Sequence, residues 1–430
     1  MSSIAILWDE SHIWGLLALR AVRELGFDCR LVRAQDIAGG TLSGKGRVAG
    51  DSEAQTGALH KVLLIPGGVA RRKAEKLGQA GMDAIREFIH AGGFYLGFCG
   101  GSGLGLTGEF GLGLCPWQRA MIKERVLHLA SGHLNVNVAA GHALTPPDLG
   151  PKPLLPVWWP ARFDRDAGDG VDVLATYESP GDDFWMADLP LNQVPQGALS
   201  RWRETYGVQL RPDFLTGRPC MIAGTHGKGR YVLSYSHLET PQSPDANKWL
   251  THLLIQALGS DPRPSESRPA VVPAWDLRNL EQRWHDPVLT QALSVMDEII
   301  RLGTDHFLLF ERNCWLLGWR AGIPGANINM LVSMLRTVAS REPTDAAAAF
   351  LAAHKEHFSR TLATFHEEVT GYLLAERLAM TLSKAYPDAV SQKGLLKERT
   401  ALFGHPMQQG GLYAELVEVL EELVWLGEKN

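Results

Sequence analysis

The sequence predicts an α/β fold in which a doubly wound parallel sheet is followed by a mostly α-helical C-terminal domain. Two observations support this prediction. In the first quarter of the chain, short apolar runs alternate with segments of helical periodicity, which is typical of a parallel sheet with helices on both faces. Beyond residue 275 the apolar residues recur mainly at helical spacing.

The individual elements follow from local patterns. Ser11 is placed to cap the first helix, and Gly26 ends that helix. Glycine and polar residues at 38–57 predict a surface loop, and dense proline at 146–160 accompanies a change to short strands and turns. In chain order, strands are predicted at 3–9, 29–32, 61–65, 94–98, 134–138, 171–177, 220–223 and 231–236, and helices at 12–25, 70–90, 249–258, 288–302, 345–386 and 413–426.

A proline-rich segment divides the chain into two predicted domains. Residues 259–274 are rich in proline and serine and are predicted to form a linker. The first domain then spans residues 1–258 and the helical domain spans residues 275–430. The final helix has an apolar stripe that can dock on the helical bundle or on a partner, and the bundle is favoured. The stripe consists of Leu416, Val419, Leu420 and Leu423.

One segment of the first domain has the pattern of a catalytic turn. An apolar strand at 94–98 ends at Cys99, which is followed at once by Gly100 and Gly101. A nucleophile on such a strand-to-helix turn is exposed, and its strained backbone needs small neighbours. The N-terminus of the following helix favours the thiolate, which is the nucleophilic form of cysteine. The alternative interpretation is a buried cysteine in an ordinary turn.

A histidine and a carboxylate follow a later strand. Gly227 and Gly229 predict a tight turn, a strand is predicted at 231–236, and His237 and Glu239 come where that strand ends. Because residues two apart lie on the same side of an extended chain, the Glu239 carboxylate can orient the His237 ring. A cysteine, a histidine and an orienting carboxylate together make a thiol hydrolase. The alternative is a turn histidine beside a solvated glutamate.

A third segment supplies candidate oxyanion donors. Four apolar residues predict a buried strand that ends in Pro66-Gly67-Gly68. Backbone amides in this turn can stabilise an oxyanion together with the amide of Gly100. The alternative is an ordinary glycine loop.

Together, these three segments resemble the class I glutamine amidotransferase-like superfamily, and the resemblance covers roughly residues 3–258. Within that superfamily the chain looks most like the amidotransferase-like domain at the N-terminus of biotin–protein ligases. The resemblance implies a flavodoxin-like doubly wound sheet with a nucleophile elbow. It also implies a triad of Cys99, His237 and Glu239, and an oxyanion hole formed by the amides of Gly68 and Gly100. The motifs that carry it are Pro66-Gly67-Gly68, Gly97-Phe98-Cys99-Gly100-Gly101, Gly227-Lys228-Gly229-Arg230 and His237-Leu238-Glu239.

The chain departs from the superfamily pattern just after the cysteine. Glutaminases of the superfamily usually carry a glutamine four residues after the nucleophile, where this chain has Gly103, and a histidine is frequent where it has Ser102. Simple glutamine is therefore not expected as the substrate. Ser102, Trp158 and Trp159 are candidate residues for a substrate wall, and the alternative for the tryptophans is packing over a sheet edge.

The glycine-arginine segment at 227–230 also superficially resembles the motif with which biotin ligases bind biotinyl-adenylate. Because this segment leads directly into the strand before His237, it is predicted to be a hairpin turn. No segment after residue 260 resembles a ligase catalytic domain, so biotinylation is not expected.

Composition and charge exclude several classes of function. The 430 residues are 45% hydrophobic and 21% charged with a net charge of −5, which gives no electrostatic footprint for nucleic acid or a membrane surface. Five scattered cysteines without a C-x-x-C pair favour reduced thiols over a disulfide framework or a zinc ribbon. No phosphate-binding glycine loop is present, so neither a cofactor nor a metal is expected. The N-terminus and the lack of a long apolar run predict a cytoplasmic protein.

The sequence leaves three functional hypotheses. The leading one is a thiol-dependent amidase in which Cys99 attacks a small-molecule amide or ester and His237 acts as base and then as acid. The second is a non-catalytic binding or regulatory module that contacts a protein partner through residues 275–430. The third is a redox or carbonyl-scavenging thiol protein.

Overall fold

The computed structural model describes residues 3–43, 60–120, 130–164, 170–195, 197–259, 269–405 and 410–428. The chain forms two compact units, residues 1–274 and 275–430. Residues 269–274, which the sequence assigns to a linker, pack on the first unit. The side chain of Val272 is fully buried, and its backbone N–H donates to Oδ1 of Asn247 at 2.9 Å.

A large mixed sheet forms the centre of the first unit. Two short strands, β5 and β8, pair with each other outside it. In chain order the strands of the first unit are β1 (Ile4–Leu7), β2 (Cys29–Val32), β3 (Val62–Ile65), β4 (Phe94–Phe98), β5 (Gln118–Arg119), β6 (Ala130–Val138), β7 (Leu154–Trp158), β8 (Phe163–Asp164), β9 (Val171–Pro180), β10 (Trp185–Met186), β11 (Leu189–Pro190), β12 (Pro219–His226) and β13 (Gly229–Ser234).

The predicted parallel sheet makes up only half of the observed one. Strands β2, β1, β3, β4 and β13 are parallel neighbours in that order. Beyond β13 the sheet continues antiparallel through β12, β9 and β6, and β6 also pairs with β7 and β10. The difference arises because strands joined by a tight turn lie antiparallel, whereas parallel neighbours need a crossover. The glycine-arginine segment forms such a turn, with His226 opposite Gly229, so the predicted hairpin is confirmed.

Helices cover the sheet of the first unit, and their apolar faces join its core. Buried residues of α3 such as Ile85 and Ile89 pack with Leu63 and Tyr95 of the sheet. The helix predicted at 70–90 is broken at Gly78, whose φ of 60° is not helical. Most of the loop predicted at 38–57 lies outside the described residues. The helices of this unit are α1 (His12–Glu24), α2 (Ala34–Ala38), α3 (Ala70–His90), α4 (Gly100–Gly105), α5 (Ala198–Tyr206) and α6 (Pro244–Leu258).

Ser11 precedes α1 as predicted, but its side chain does not cap the helix. The hydroxyl donates to the carbonyl oxygen of Leu7 at 2.8 Å and accepts from Nζ of Lys73 at 2.6 Å. The predicted capping hydrogen bond is therefore wrong, because a buried lysine from α3 engages the hydroxyl instead.

The second unit is mostly helical, and its last helix packs against α8 and α9. The predicted apolar stripe of this last helix is buried, so its docking on the bundle is confirmed. The sequence did not predict α8, α10 or the short hairpin β14–β15. No described helix is both long and apolar enough to cross a bilayer. The elements are α7 (Pro287–Asp305), β14 (Leu309–Glu311), β15 (Leu317–Trp319), α8 (Gly325–Ala339), α9 (Asp345–Leu382), α10 (Gln392–Phe403) and α11 (Gly411–Gly427).

Candidate active site

Cys99 occupies a strained turn at the carboxyl end of β4, between the parallel neighbours β3 and β13. Its φ of 48° and ψ of −105° are unusual for a residue with a side chain, and such strain is typical of a nucleophile elbow. The glycines that follow are required by close packing. A Cβ on Gly101 would lie 2.0 Å from the carbonyl oxygen of Ile65. The thiol of Cys99 is partly exposed.

The two predicted oxyanion donors are adjacent in space. A Cβ on Gly100 would lie 2.0 Å from the carbonyl oxygen of Gly68 and 3.1 Å from its nitrogen. Gly68 has a φ of 119°, a conformation that favours glycine. Within the described part of the chain, neither the Gly68 N–H nor the Gly100 N–H has a hydrogen-bond acceptor. Both amides are therefore available to an anion beside Cys99.

His237 and Glu239 form a buried pair at the carboxyl end of β13. Nδ1 of His237 lies 2.7 Å from Oε1 of Glu239, and both side chains are almost completely buried. Nε2 of His237 and Oε2 of Glu239 have no hydrogen-bond partner of ordinary geometry among the described residues. A Cβ on Gly67 would lie 3.1 Å from Cε1 of the His237 ring, so the imidazole lies against the glycine turn.

Backbone and side-chain hydrogen bonds hold the segment that carries this pair. The N–H of His237 donates to the carbonyl oxygen of Pro156 in β7 at 2.9 Å. The side-chain amide of Asn247 in α6 donates to the carbonyl oxygens of Leu238 and Thr240 at 3.0 and 2.9 Å. The ring orientation is thus fixed from two neighbouring elements.

Electrostatics at the site favour charge separation between Cys99 and His237. Burial raises the pKa of the Cys99 thiol, but hydrogen bonding and charge from His237, with a smaller contribution from Arg119, outweigh it and lower that pKa. Burial lowers the pKa of His237, but the Glu239 charge and hydrogen bonds with Cys99 and Glu239 raise it to about 10. The arrangement therefore favours a thiolate beside an imidazolium at neutral pH.

The three candidate wall residues lie in different environments. Ser102 is fully buried, and its hydroxyl donates to the carbonyl oxygens of Gly97 and Ser234 at 2.7 and 2.8 Å. Trp158 is also buried, and its indole N–H donates to Oγ1 of Thr240 at 3.0 Å. These two residues brace the loops behind the site instead of lining it.

Trp159 is partly exposed and belongs to an aromatic group beside His237. Its ring lies 5.4 Å, centroid to centroid, from that of Trp14 in α1. The Trp14 ring in turn lies 4.5 Å from the imidazole of His237. The sequence did not identify Trp14, because its helical spacing marks it only as part of a buried face.

A polar cluster at the end of β1 was also not predicted. Glu10 forms two 2.8 Å hydrogen bonds with the guanidinium of Arg72, and both side chains are mostly buried. Lys73 is completely buried beside them. Helical spacing from Lys73 to Leu77 and Gly81 puts a lysine on the apolar stripe of α3, and this was the signal available in the sequence.

The described residues offer no obvious metal site. Within them, no group of three or more His, Cys, Asp and Glu side chains could hold a metal ion. In the helical unit, His357 lies 3.4 Å from Glu415 and His366 lies 3.3 Å from Glu298. These histidines are engaged in separate pairs with carboxylates.

Comparison with protein families identifies one matching domain type. Residues 55–132 match the family model described as "Biotin-protein ligase, N terminal". The sequence-based resemblance to this domain is thereby confirmed over that segment. The segment contains the Pro66-Gly67-Gly68 turn and the Cys99 elbow but ends before His237, so the roles of His237 and Glu239 stay predictions. No curated protein matches the chain.

Several solved structures are similar to about three fifths of this chain. A candidate GMP synthase protein from Thermoplasma acidophilum is 14% identical, with a TM-score of 0.37 over 60% of this chain and 96% of its own. PurLQS from Thermotoga maritima is 13% identical, with a TM-score of 0.36 over 60% of this chain and 99% of its own. A candidate ThuA-like protein from Bacteroides uniformis is 12% identical, with a TM-score of 0.36 over 61% and 93%. At these scores the likenesses support no inference about function.

Proposed function

We propose that this protein is a thiol-dependent hydrolase or acyltransferase that acts on the C–N bond of an amide or on an ester. The observation that carries the proposal is the position of Cys99. It lies partly exposed on a strained elbow, with the unbonded amides of Gly68 and Gly100 on one side and the buried His237–Glu239 pair nearby.

The proposed reaction begins with attack of the Cys99 thiolate on the substrate carbonyl carbon. As the C–S bond forms, the carbonyl electron pair moves to oxygen, and the amides of Gly68 and Gly100 stabilise the resulting oxyanion. The His237 imidazolium then gives its proton to the leaving amine or alkoxide as the C–N or C–O bond breaks. Water, activated by neutral His237, hydrolyses the thioester, or an amine takes the acyl group instead. Glu239 orients the imidazole and stabilises its charged form.

The substrate of this proposed reaction is not simple glutamine. A Cβ on Gly103 would lie only 3.2 Å from the Cβ of Ala70, so the position leaves little room for a glutamine side chain. The partly exposed Trp159 and its neighbour Trp14 instead provide an aromatic surface next to His237. An apolar or aromatic group on the substrate therefore fits this side of the site.

The test of the proposal is the rate at which iodoacetamide alkylates Cys99 at pH 6, located by mass spectrometry. An ordinary thiol, with a pKa of about 8.5, reacts slowly at this pH because it is almost wholly protonated. We expect Cys99 to react at least about tenfold faster than Cys29 and Cys314, which are also partly exposed and serve as internal controls. The His237→Ala variant should abolish this advantage.

A rate for Cys99 no greater than that of the two control cysteines would contradict the proposal. It would favour the alternative hypothesis of a non-catalytic binding or regulatory module. Selective oxidation of Cys99 by mild peroxide, without acylation by any amide or ester, would instead favour a redox role.

A further inference from the structure

Lys73 is a charged side chain that is completely buried near the proposed oxyanion hole. It lies one turn into α3, on the face that carries Leu77 and Ile85 into the core. A lysine is rarely fully buried, because desolvation of its ammonium group is costly unless polar partners compensate. Its partners therefore indicate what the residue does.

The ammonium group of Lys73 binds the turn that follows β1. Nζ donates to the carbonyl oxygen of Glu10 at 2.9 Å and to Oγ of Ser11 at 2.6 Å, and the carbonyl oxygen of Asp9 lies 3.4 Å away. Glu10 and His12 have φ values of 58° and 45°, which are uncommon for residues with side chains. Such a backbone persists only when its surroundings hold it, and Lys73 supplies that support from α3.

The same turn and the same lysine contact Gly68. A Cβ on Gly68 would lie 2.5 Å from the carbonyl oxygen of Glu10, 3.3 Å from Cε of Lys73 and 3.5 Å from its Nζ. On its other side Gly68 faces Gly100. The glycine is thus enclosed between the Lys73-bound turn and the nucleophile elbow, and any movement of the turn would displace its amide.

We propose that Lys73 is a positioning residue for the oxyanion hole, since it fixes the turn of Asp9 to Ser11 against Gly68 and thereby aims the Gly68 amide at the reacting carbonyl oxygen. This inference rests on the proposed function. It adds a residue that acts through Gly68 rather than by touching the substrate. The buried ammonium also places a positive charge behind the oxyanion, where the low local dielectric strengthens its effect.

Two reactions of Cys99 separate this role from thiol activation and from folding. Acylation by p-nitrophenyl acetate forms a C–S bond through a tetrahedral oxyanion and expels p-nitrophenolate. Alkylation by iodoacetamide forms a C–S bond by direct displacement of iodide, and no oxyanion is involved. The ratio of the two rate constants therefore reports the oxyanion hole, whereas a general loss of structure changes both.

The experiment measures both rate constants at pH 7 for the full-length wild type, Lys73→Met and the control Lys76→Met. Lys76 is an exposed lysine on the same helix, so its loss should leave the ratio unchanged. In Lys73→Met we expect the ratio of acylation to alkylation to fall by about 10- to 100-fold, since loss of one oxyanion donor typically costs about 100- to 1,000-fold. Alkylation should change by no more than about twofold.

A second variant covers the case in which Lys73→Met does not fold. Ser11→Ala removes one acceptor of the ammonium and should lower the ratio by about threefold or more, in line with the value of one hydrogen bond to a charged group. An unchanged ratio in a folded Lys73→Met, or in Ser11→Ala if the first variant fails to fold, would overturn the inference alone. No acylation of Cys99 in the wild type, despite fast alkylation, would overturn the proposed function and this inference with it.

Discussion

At the scale of single residues, the chemistry of the site depends on a balance of opposing effects. Burial by itself disfavours both a Cys99 thiolate and a His237 imidazolium. Each group is stabilised in its charged form only because the other is present and because Glu239 is hydrogen-bonded to Nδ1 of the imidazole. Removal of any one charge should therefore shift the protonation of the others.

The Glu239→Gln variant tests this coupling through the pH dependence of Cys99 alkylation. Since Glu239 raises the pKa of His237, its neutralisation lowers that pKa, and the imidazolium that stabilises the thiolate is lost. The direct effect of Glu239 on Cys99 has the opposite sign, but it is smaller than the effect of His237. We expect the pKa observed in the alkylation profile to rise by about one unit, and the rate at pH 6 to fall about tenfold.

A matched control for this variant exists in the same unit. Asp183 also holds a histidine, with its Oδ2 at 2.9 Å from Nδ1 of His133. Asp183→Asn makes the same chemical change away from Cys99 and should leave the alkylation profile unchanged. A profile of Glu239→Gln that overlays the wild-type profile from pH 5 to pH 10 would contradict the assigned coupling.

At the scale of elements, the elbow exists because β4 and α4 meet β3 at backbone contact distance. The glycines after Cys99 are not interchangeable with alanine, since an added methyl group would overlap backbone atoms that cannot move independently. Fold and site are therefore specified by the same few residues here. A substitution in the turn should affect both.

The Gly101→Ala variant is expected to lower the free energy of unfolding by about 3 kcal/mol or more, because its Cβ would lie 2.0 Å from the carbonyl oxygen of Ile65. Gly150→Ala is a suitable control, since a Cβ there has no heavy atom within 4 Å. Urea denaturation followed by circular dichroism measures both variants. Equal stabilities for the two would show that the elbow relaxes more easily than the packing indicates.

At the scale of the whole molecule, the chain divides into two units, and the residues before the division belong to the first. Val272 is buried, and its backbone makes hydrogen bonds to Asn247 and Gln242. Asn247 also holds the segment that carries His237. The contact of residues 269–274 with the first unit thus extends to the candidate site. The predicted role of residues 275–430 in binding a protein partner stays a prediction.

Residues 1–274 produced alone should therefore be more stable than residues 1–258. Loss of a buried valine and its backbone hydrogen bonds predicts a difference of about 2 kcal/mol or more in the free energy of unfolding. Urea denaturation measures the difference, and Cys99 alkylation at pH 6 should be as fast in residues 1–274 as in the full chain. A fragment of residues 1–258 with the same stability would indicate that residues 269–274 only rest on the surface.

The sequence by itself determined the elements whose signals are local. The Cys99 elbow, the glycine turn at Gly68 and the strand before His237 are each marked by apolar runs and glycines at short spacing, and the order of these motifs indicated the parallel half of the sheet. Periodicity also identified most of the long helices, because a buried stripe repeats every three to four residues.

The tertiary structure alone decided what depends on contacts between distant segments. The antiparallel half of the sheet, the burial of Ser102 and Trp158, and the binding of Ser11 by Lys73 involve partners far apart in the chain, and local patterns do not encode such partners. The same holds for Trp14 beside His237. The physical reason is that a side chain's solvent exposure and hydrogen bonds are set by whatever packs against it, and packing is a property of the folded chain as a whole.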